Sequence, residues 1–376
     1  MSVFRSRPAL RWLVPSAAAV LVIGGGAAAG TIAANAGPSL PERSAAQLLV
    51  DVQNAKVDGL SGTIVQTADL GLPPLAGLTG GQGDADLTKL VAGSNTARVW
   101  YAGDDKVRLA LLGTLGETDV IRNGTSVWVW RSRDNTASQL TLPARSDTKP
   151  APLAQGVPST PQEAADAALA AIDPTTAVTT TGAASVAGRD AYELVLAPKD
   201  TQSLIGQVRL AIDAKEHIPL RVDVYAKDAN DPAIRVAFQQ ISFTVPDAEQ
   251  FTFNPPPGAK VNKESAQSLE QKAEKEAQKN AQKAPAARPG PEAGPTVVGT
   301  GWTSVLVAKL PADAKDAKGA EANQLEGLIG SLPKVSGTWG SGRLLSGSLF
   351  SALLTDDGRV LVGAVAPEKL YEVAGK

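Results

Sequence analysis

Cysteine is absent from this chain of 376 residues, and histidine and methionine occur once each. The absence of cysteine excludes disulfides, iron–sulfur clusters, thiolate zinc sites, a cysteine nucleophile and the cysteine that a bacterial lipoprotein anchor requires. The one histidine, His217, cannot form a multi-histidine metal site and is the only candidate for a His-based catalytic triad. Its charged surroundings, between two predicted strands, favour a loop.

A large excess of either charge is also absent, because 36 basic residues nearly balance 38 acidic ones. This balance gives no support for a nucleic-acid partner. The chain has no G-x-S-x-G motif, and its adjacent aspartates, Asp104-Asp105 and Asp356-Asp357, precede strands in the manner of turns. We therefore expect no enzymatic activity, no cofactor and no metal.

The amino terminus has the marks of a targeting segment. Arginines precede an uncharged stretch from Trp12 to Pro41, which includes the small-residue sequence Ala34-Asn35-Ala36. A basic start, an apolar middle and an A-x-A end are typical of a secretory signal, but the stretch is also long enough to span a bilayer. Residues 1–36 are thus a signal peptide or, if uncleaved, an anchor in the cytoplasmic membrane. Both alternatives export the remainder, either to the outer face of that membrane or as a secreted protein.

The first half of the exported part combines one helix with alternating strands. Residues 41–56 have apolar positions at helical spacing, and a strand follows at 61–67. From Thr96 the apolar period becomes two, and Asn123-Gly124 predicts a tight hairpin. A capping box at Thr160 opens an alanine-rich helix to about residue 172.

The second half predicts a run of long strands. Four of them, at 176–187, 190–197, 206–213 and 218–226, are followed by a fifth at 233–245. The apolar positions of the fifth strand change parity at Gln239-Gln240, which predicts a bulge that helps to curl the sheet.

Composition then divides the chain. Residues 37–260 form the predicted main domain, residues 261–295 a charged and then Pro/Ala-rich linker, and residues 296–376 a small α/β module. We expect two short helices to leave part of an antiparallel sheet of about nine strands uncovered, as a pocket for an apolar ligand. The alternative is that every alternating residue is ordinary core.

The order of helix, strand, long loop and the segment TARVWYAGDDKVRLALLGTLGETDVIRNGTSVWVW resembles the outer-membrane lipoprotein carrier (LolA) superfamily, which includes the RseB/MucB sigma-factor regulators. The segment GRDAYELVLAPK, and VRLAIDAKEHIPLRVDVYAK after it, are similar to that superfamily too. The resemblance covers about residues 41–260 and contains no catalytic motif. It implies an α+β fold: a strongly curved antiparallel sheet, or half-barrel, with helices on its concave side and a cavity for acyl chains.

This resemblance implies a protein that binds or carries a lipid or the acyl chain of a lipoprotein in the cell envelope. Parity selects the following candidate lipid-binding residues: Val65, Leu109, Leu111, Val127, Val129, Leu194, Leu196, Leu210, Ile212, Val222 and Val224. The alternative is an RseB-like regulatory protein whose partner is an anti-sigma factor or another envelope membrane protein. A third possibility is a structural module of the envelope with a filled core.

Overall fold

The computed structural model describes seven parts of the chain, residues 40–72, 92–113, 116–142, 174–265, 295–310, 327 and 329–376. The predicted targeting segment at 1–36, the predicted helix at 160–172 and most of the predicted linker lie outside the described residues. None of the described helices is long and apolar enough to cross a membrane.

A large curved sheet of twelve strands is the main feature of the described chain. Its strands are β1 (Leu60–Asp69), β2 (Ala92–Tyr101), β3 (Lys106–Gly113), β4 (Gly116–Asn123), β5 (Ser126–Arg131), β6 (Thr136–Thr141), β7 (Thr176–Val186), β8 (Arg189–Pro198), β9 (Ile205–Asp213), β10 (Pro219–Ala226), β11 (Pro232–Ser242) and β12 (Lys260–Ser265). Their order is β12-β6-β5-β4-β3-β2-β1-β11-β10-β9-β8-β7, so β1 lies between β2 and β11. All neighbours are antiparallel except β12 and β6, which are parallel.

Two features of this sheet confirm the sequence pattern. The tight hairpin predicted at Asn123-Gly124 joins β4 to β5, although the turn residues are Gly124 and Thr125, because Asn123 ends β4 and pairs with Ser126. Gly124 has φ +61°, a value that glycine adopts without strain. The pairing of β1 with β11 shifts between Thr63, opposite Gln240, and Ile64, opposite Phe238. The bulge predicted from the change of parity therefore lies at the expected place.

Helix α1 (Ala45–Asn54) begins four residues after Pro41 because Ser44 caps it. The Ser44 hydroxyl accepts a hydrogen bond from the Gln47 N–H at 3.3 Å, and the Gln47 side chain accepts one from the Ser44 N–H at 3.0 Å. This reciprocal capping box satisfies two N–H groups that the first helical turn leaves without partners. The prediction of a helix was right, but its start at residue 41 was wrong.

The chain after β11 crosses one face of the sheet to reach the far edge. It forms a short 3₁₀ helix, η1 (Ala248–Phe251), whose Phe251 is 1% exposed. Phe253 follows and lies 5.3 Å from the Trp128 ring and 5.9 Å from the Trp130 ring, measured between centroids. This crossing contacts β3, β4 and the two tryptophans of β5, and it brings the chain to the far edge, where β12 pairs in parallel with β6.

A second sheet, the C-terminal sheet, contains six strands in the order β13-β14-β18-β17-β16-β15, all antiparallel. Its elements are β13 (Thr296–Val298), a 3₁₀ turn η2 (Gly301–Thr303), β14 (Val305–Lys309), β15 (Lys334–Gly337), β16 (Gly340–Ser346), β17 (Ser351–Thr355), β18 (Arg359–Gly363) and helix α2 (Pro367–Ala374). Leu370 and Val373 of α2 pack on a core that includes Val305, Leu353 and Leu361. The predicted turn at Asp356-Asp357 joins β17 to β18.

The expected balance of helix and strand differs from the observed one. The described residues are mostly β, with helices α1 and α2 and further helical residues at 327 and 329–331, whereas an α+β fold was predicted. The edge strands β12 and β7 do not pair with each other, so the large sheet is curved but not a closed barrel. The placement of helices on a concave side and the α/β character of the carboxyl-terminal module stay predictions.

Candidate functional site

One face of the large sheet is lined by aliphatic side chains, because residues opposite one another in adjacent antiparallel strands point to the same side. Leu109 of β3 lies opposite Val120 of β4, which lies opposite Val129 of β5. We call this side the apolar face. Ten of the eleven predicted lipid-binding residues lie on it: Leu109, Leu111, Val127, Val129, Leu194, Leu196, Leu210, Ile212, Val222 and Val224.

Val65 lies on the other face, so its assignment was wrong. It pairs with Thr96 and Ala237, whereas its neighbour Ile64 pairs with Ala97 and Phe238. Because side chains alternate along a strand, Ile64 points to the apolar face and Val65 away from it.

Helix α1 covers one part of the apolar face. Leu48, which is fully buried, packs in one cluster with Leu194 and Ile212, and Leu210 lies against the same cluster. These three predicted binding residues are therefore ordinary core beneath a helix.

The C-terminal sheet covers a second part. Leu349 is 6% exposed and forms a buried cluster with Leu70 and Ala233. Phe350 and Val224 pack against that cluster, so Val224 is also covered.

A third part, the open patch, lies on β3–β5 and comprises Leu109, Leu111, Val120, Val127 and Val129. Its members are half-buried or exposed, and none belongs to a buried core cluster of the described residues. Val120 is 36% exposed. Aliphatic side chains aligned across three strands and accessible to solvent present a surface that gains free energy when an apolar group covers it.

Sequence reasoning missed Val120, although a signal for it was present. A two-residue turn at Asn123-Gly124 would place Val120 opposite Val127, and the observed turn at Gly124-Thr125 places it opposite Val129. Either register puts Val120 on the face of these two valines. Reading the hairpin as a pair, rather than each strand alone, would have found it.

A buried amide pair lies between the covered parts and the open patch. The Asn95 side-chain N–H donates a hydrogen bond to the Gln66 side-chain oxygen at 2.7 Å, and Asn95 is fully buried. Gln66 lies opposite Val236, which lies opposite Val222, so the pair belongs to the apolar face. A satisfied polar pair in an apolar surface fixes the local register of β1 and β2.

The opposite face of β8–β11 is charged. Arg221 contacts Glu193 at 2.6 Å and Asp223 at 3.0 Å, and Arg235 contacts Asp223 at 2.6 Å. Asp223 is fully buried beneath these arginines, and its hydrogen bond raises the pKa of Arg235. Over β8–β11 this side of the sheet is therefore polar, whereas the apolar face carries aliphatic side chains on the same strands.

The turn between β9 and β10 carries His217 and a buried carboxylate, Asp213. Burial alone would raise the pKa of Asp213, but hydrogen bonds from Arg189 and from the N–H groups of Glu216 and Lys215 outweigh it and hold that pKa below its usual value. His217 has φ +58° in this turn, which agrees with the loop predicted for it. Within the described ranges, no group of three or more His, Cys, Asp or Glu residues is placed to hold a metal ion.

The chain was compared with known families and structures. Residues 91–268 match the MucB/RseB N-terminal domain, whereas a comparison with curated proteins found no match. Among solved structures, the complex of MucA and MucB from Pseudomonas aeruginosa is similar at 16% identity and TM-score 0.40, over 88% of this chain and 96% of that one.

Two further structures are similar at lower scores. A conserved protein from Thermus thermophilus has 12% identity and TM-score 0.32, over 58% of this chain and 98% of its own. A LolA superfamily protein from Nitrosomonas europaea has 10% identity and TM-score 0.19, over 56% of this chain and 99% of its own. These low values carry no functional conclusion. The family model matches 178 of the 376 residues, and this match supports the resemblance to the LolA/RseB-like superfamily that the sequence suggests.

Proposed function

We propose that this is an exported, non-enzymatic protein of the cell envelope that binds the acyl chain of a lipid or lipoprotein on its apolar face. The observation that carries the proposal is the open patch, in which Leu109, Val120 and Val129 align across three strands without belonging to a buried core cluster. A linear alkyl chain fits such a row, because each methylene that it buries contributes about 0.8 kcal/mol.

A second candidate function is the binding of an envelope membrane protein, as in regulators of the MucB/RseB family. MucB of Pseudomonas aeruginosa has been solved in complex with MucA. In this chain the feature that favours such a role is an apolar row on the C-terminal sheet, where Val297 is 64% and Leu306 is 44% exposed. Exposed apolar side chains on adjacent strands are typical of protein contact surfaces.

Fluorescence titration with dansyl-undecanoic acid tests the first proposal. Leu109→Asp places a carboxylate in the open patch, and we expect it to weaken binding at least about tenfold, because an ionised group next to an alkyl chain loses hydration without gaining a partner. The matched control is Val65→Asp, which introduces the same carboxylate at a half-buried valine on the other face. We expect it to bind like the unmodified chain.

Circular dichroism and urea unfolding establish that both variants fold. A folded Leu109→Asp variant that keeps full affinity would contradict the assignment of the site. If the unmodified chain binds no probe, whereas capture of a membrane protein depends on Val297 and Leu306, the second function is favoured.

A further inference from the structure

The C-terminal sheet touches the large sheet where the apolar face ends. The Leu204 N–H donates a hydrogen bond to the Ala364 carbonyl at 2.9 Å, next to an antiparallel bridge between Ser203 and Val365. At a second point, the Ser348 N–H donates one to the Leu70 carbonyl at 2.7 Å. Besides these backbone contacts, the Trp302 ring N–H donates a hydrogen bond to the Thr176 hydroxyl at 2.7 Å, and the Thr303 hydroxyl donates one to Asp200 at 3.3 Å.

The turn between β16 and β17, residues 347–350, lies over the end of the apolar face, and we call it the plug. Leu349 and Phe350 pack with Val224 and Ile234, which are opposite each other on β10 and β11. Val222 lies two residues from Val224 on the same face, a distance of roughly 7 Å along the strand. An alkyl chain that continues from Val222 past Val224 must therefore displace the plug.

The attachment of the C-terminal sheet is suited to release. The ion pairs between described residues all lie within one sheet or the other, or within helices and their flanks, and none joins the two sheets. A cleft of about 240 Å³ lies in the contact, between Ser203 and Lys227 on one side and Lys369 and Glu372 on the other. A contact that contains such a cleft is incompletely packed, and contacts of this kind between units of one chain allow relative motion.

We propose that the plug is an autoinhibitory cap, so that an acyl chain on the apolar face and the docked C-terminal sheet exclude each other. This inference rests on the proposed function, and it adds regulation to it. An acyl chain that extends along the apolar face as far as Val224 releases the C-terminal sheet, and docking of that sheet excludes such a chain, because both cover Val224.

The absence of cysteine from the sequence permits a direct test by an engineered disulfide. In the variant Ser203→Cys/Val365→Cys, oxidation locks the cap closed, because facing residues of an antiparallel bridge have the Cα separation that a disulfide requires. The reduced form of the same variant is its own control for folding.

A second variant opens the cap without changing Leu349 or Phe350. A Cβ added at Gly347 would lie 2.9 Å from the Leu70 carbonyl oxygen and 3.0 Å from a Leu72 methyl group, so Gly347→Val pushes the plug away. The matched control is Gly327→Val in the same part of the chain, where an added Cβ meets no atom within 4 Å.

Binding of dansyl-undecanoic acid is measured for each form. We expect the oxidised double variant to bind at least about tenfold more weakly than its reduced form, and Gly347→Val to bind more tightly than Gly327→Val. Equal affinity of all four forms would overturn the cap while leaving the proposed function intact. If none of the four forms binds the probe, including the reduced double variant and Gly347→Val, both proposals fail.

Discussion

Replacing Asp213 by alanine tests whether the turn between β9 and β10 is held by its buried carboxylate. Asp213 is 1% exposed and accepts two hydrogen bonds from the Arg189 guanidinium, one of them at 3.0 Å. It also accepts hydrogen bonds from the backbone N–H groups of Lys215 at 2.9 Å and Glu216 at 2.7 Å. The substitution leaves four donors without their acceptor.

The expected cost follows from these contacts. Removing one partner of a buried ion pair costs about 3–5 kcal/mol. The Arg189 side chain is 29% exposed and regains water on one side, so we expect the lower end of this range, about 3 kcal/mol. That is a large part of the 5–15 kcal/mol typical of a folded protein.

In urea unfolding at pH 7, the loss of stability appears as a lower urea concentration at the midpoint. The slope of the unfolding free energy against urea concentration stays unchanged. The matched control is Asp357→Ala, which removes an exposed carboxylate that contacts Arg359 at 2.9 Å. Its loss should not exceed about 1 kcal/mol. Equal losses for the two variants, or a loss below about 1 kcal/mol for Asp213→Ala, would refute the reasoning.

The dependence on pH has a definite sign. The pKa of Asp213 is lowered from its usual 3.8, because Arg189 and the turn N–H groups outweigh the burial that would raise it. A carboxylate with a lowered pKa stabilises the fold above the unfolded pKa, and this contribution is lost as pH falls through the folded pKa. The difference between the native chain and Asp213→Ala should therefore be constant above about pH 5 and shrink in acid.

Three further substitutions test local features by urea unfolding. Ser44→Ala removes the hydroxyl that caps helix α1 and should lower the free energy of unfolding by about 1 kcal/mol. Ser44→Asp should restore most of that stability, and no loss with alanine would contradict the capping box. Gly62→Ala places a Cβ 2.6 Å from the Gln240 carbonyl oxygen and should cost about 1–3 kcal/mol, and a neutral result would contradict the tight pairing of β1 with β11. Gly124→Ala forces alanine to φ +61° and should cost about 1 kcal/mol, whereas Gly124→Asn should be tolerated better; the reverse order would exclude the tight turn.

Local patterns predicted those parts of the fold that depend on neighbouring residues. The alternation of apolar residues located most strands of the large sheet, and the change of parity at Gln239-Gln240 located a bulge. The same local reasoning failed at Val65, because parity within β1 says nothing about which side of the sheet the partners of β1 face. That depends on register against β2 and β11, and a shift of one residue exchanges the two faces.

The candidate site depended on tertiary contacts that no local pattern contains. Leu194 and Leu109 have the same alternation in sequence, but Leu194 is 1% exposed under helix α1, whereas Leu109 belongs to the open patch. Similarly, nothing near Val224 in the sequence indicates that Leu349, more than a hundred residues later, packs over it. Periodicity selected the apolar face, and packing decided which part of it stays accessible.

Native mass spectrometry of the protein purified without detergent tests the central claim most directly. The account predicts a species heavier than the bare chain by the mass of one acylated molecule, which solvent extraction releases and identifies. It also predicts that Leu109→Asp loses this species, whereas Val65→Asp keeps it. A chain that carries no such molecule, even after incubation with lipids and lipopeptides, would contradict the claim that the apolar face binds acyl chains.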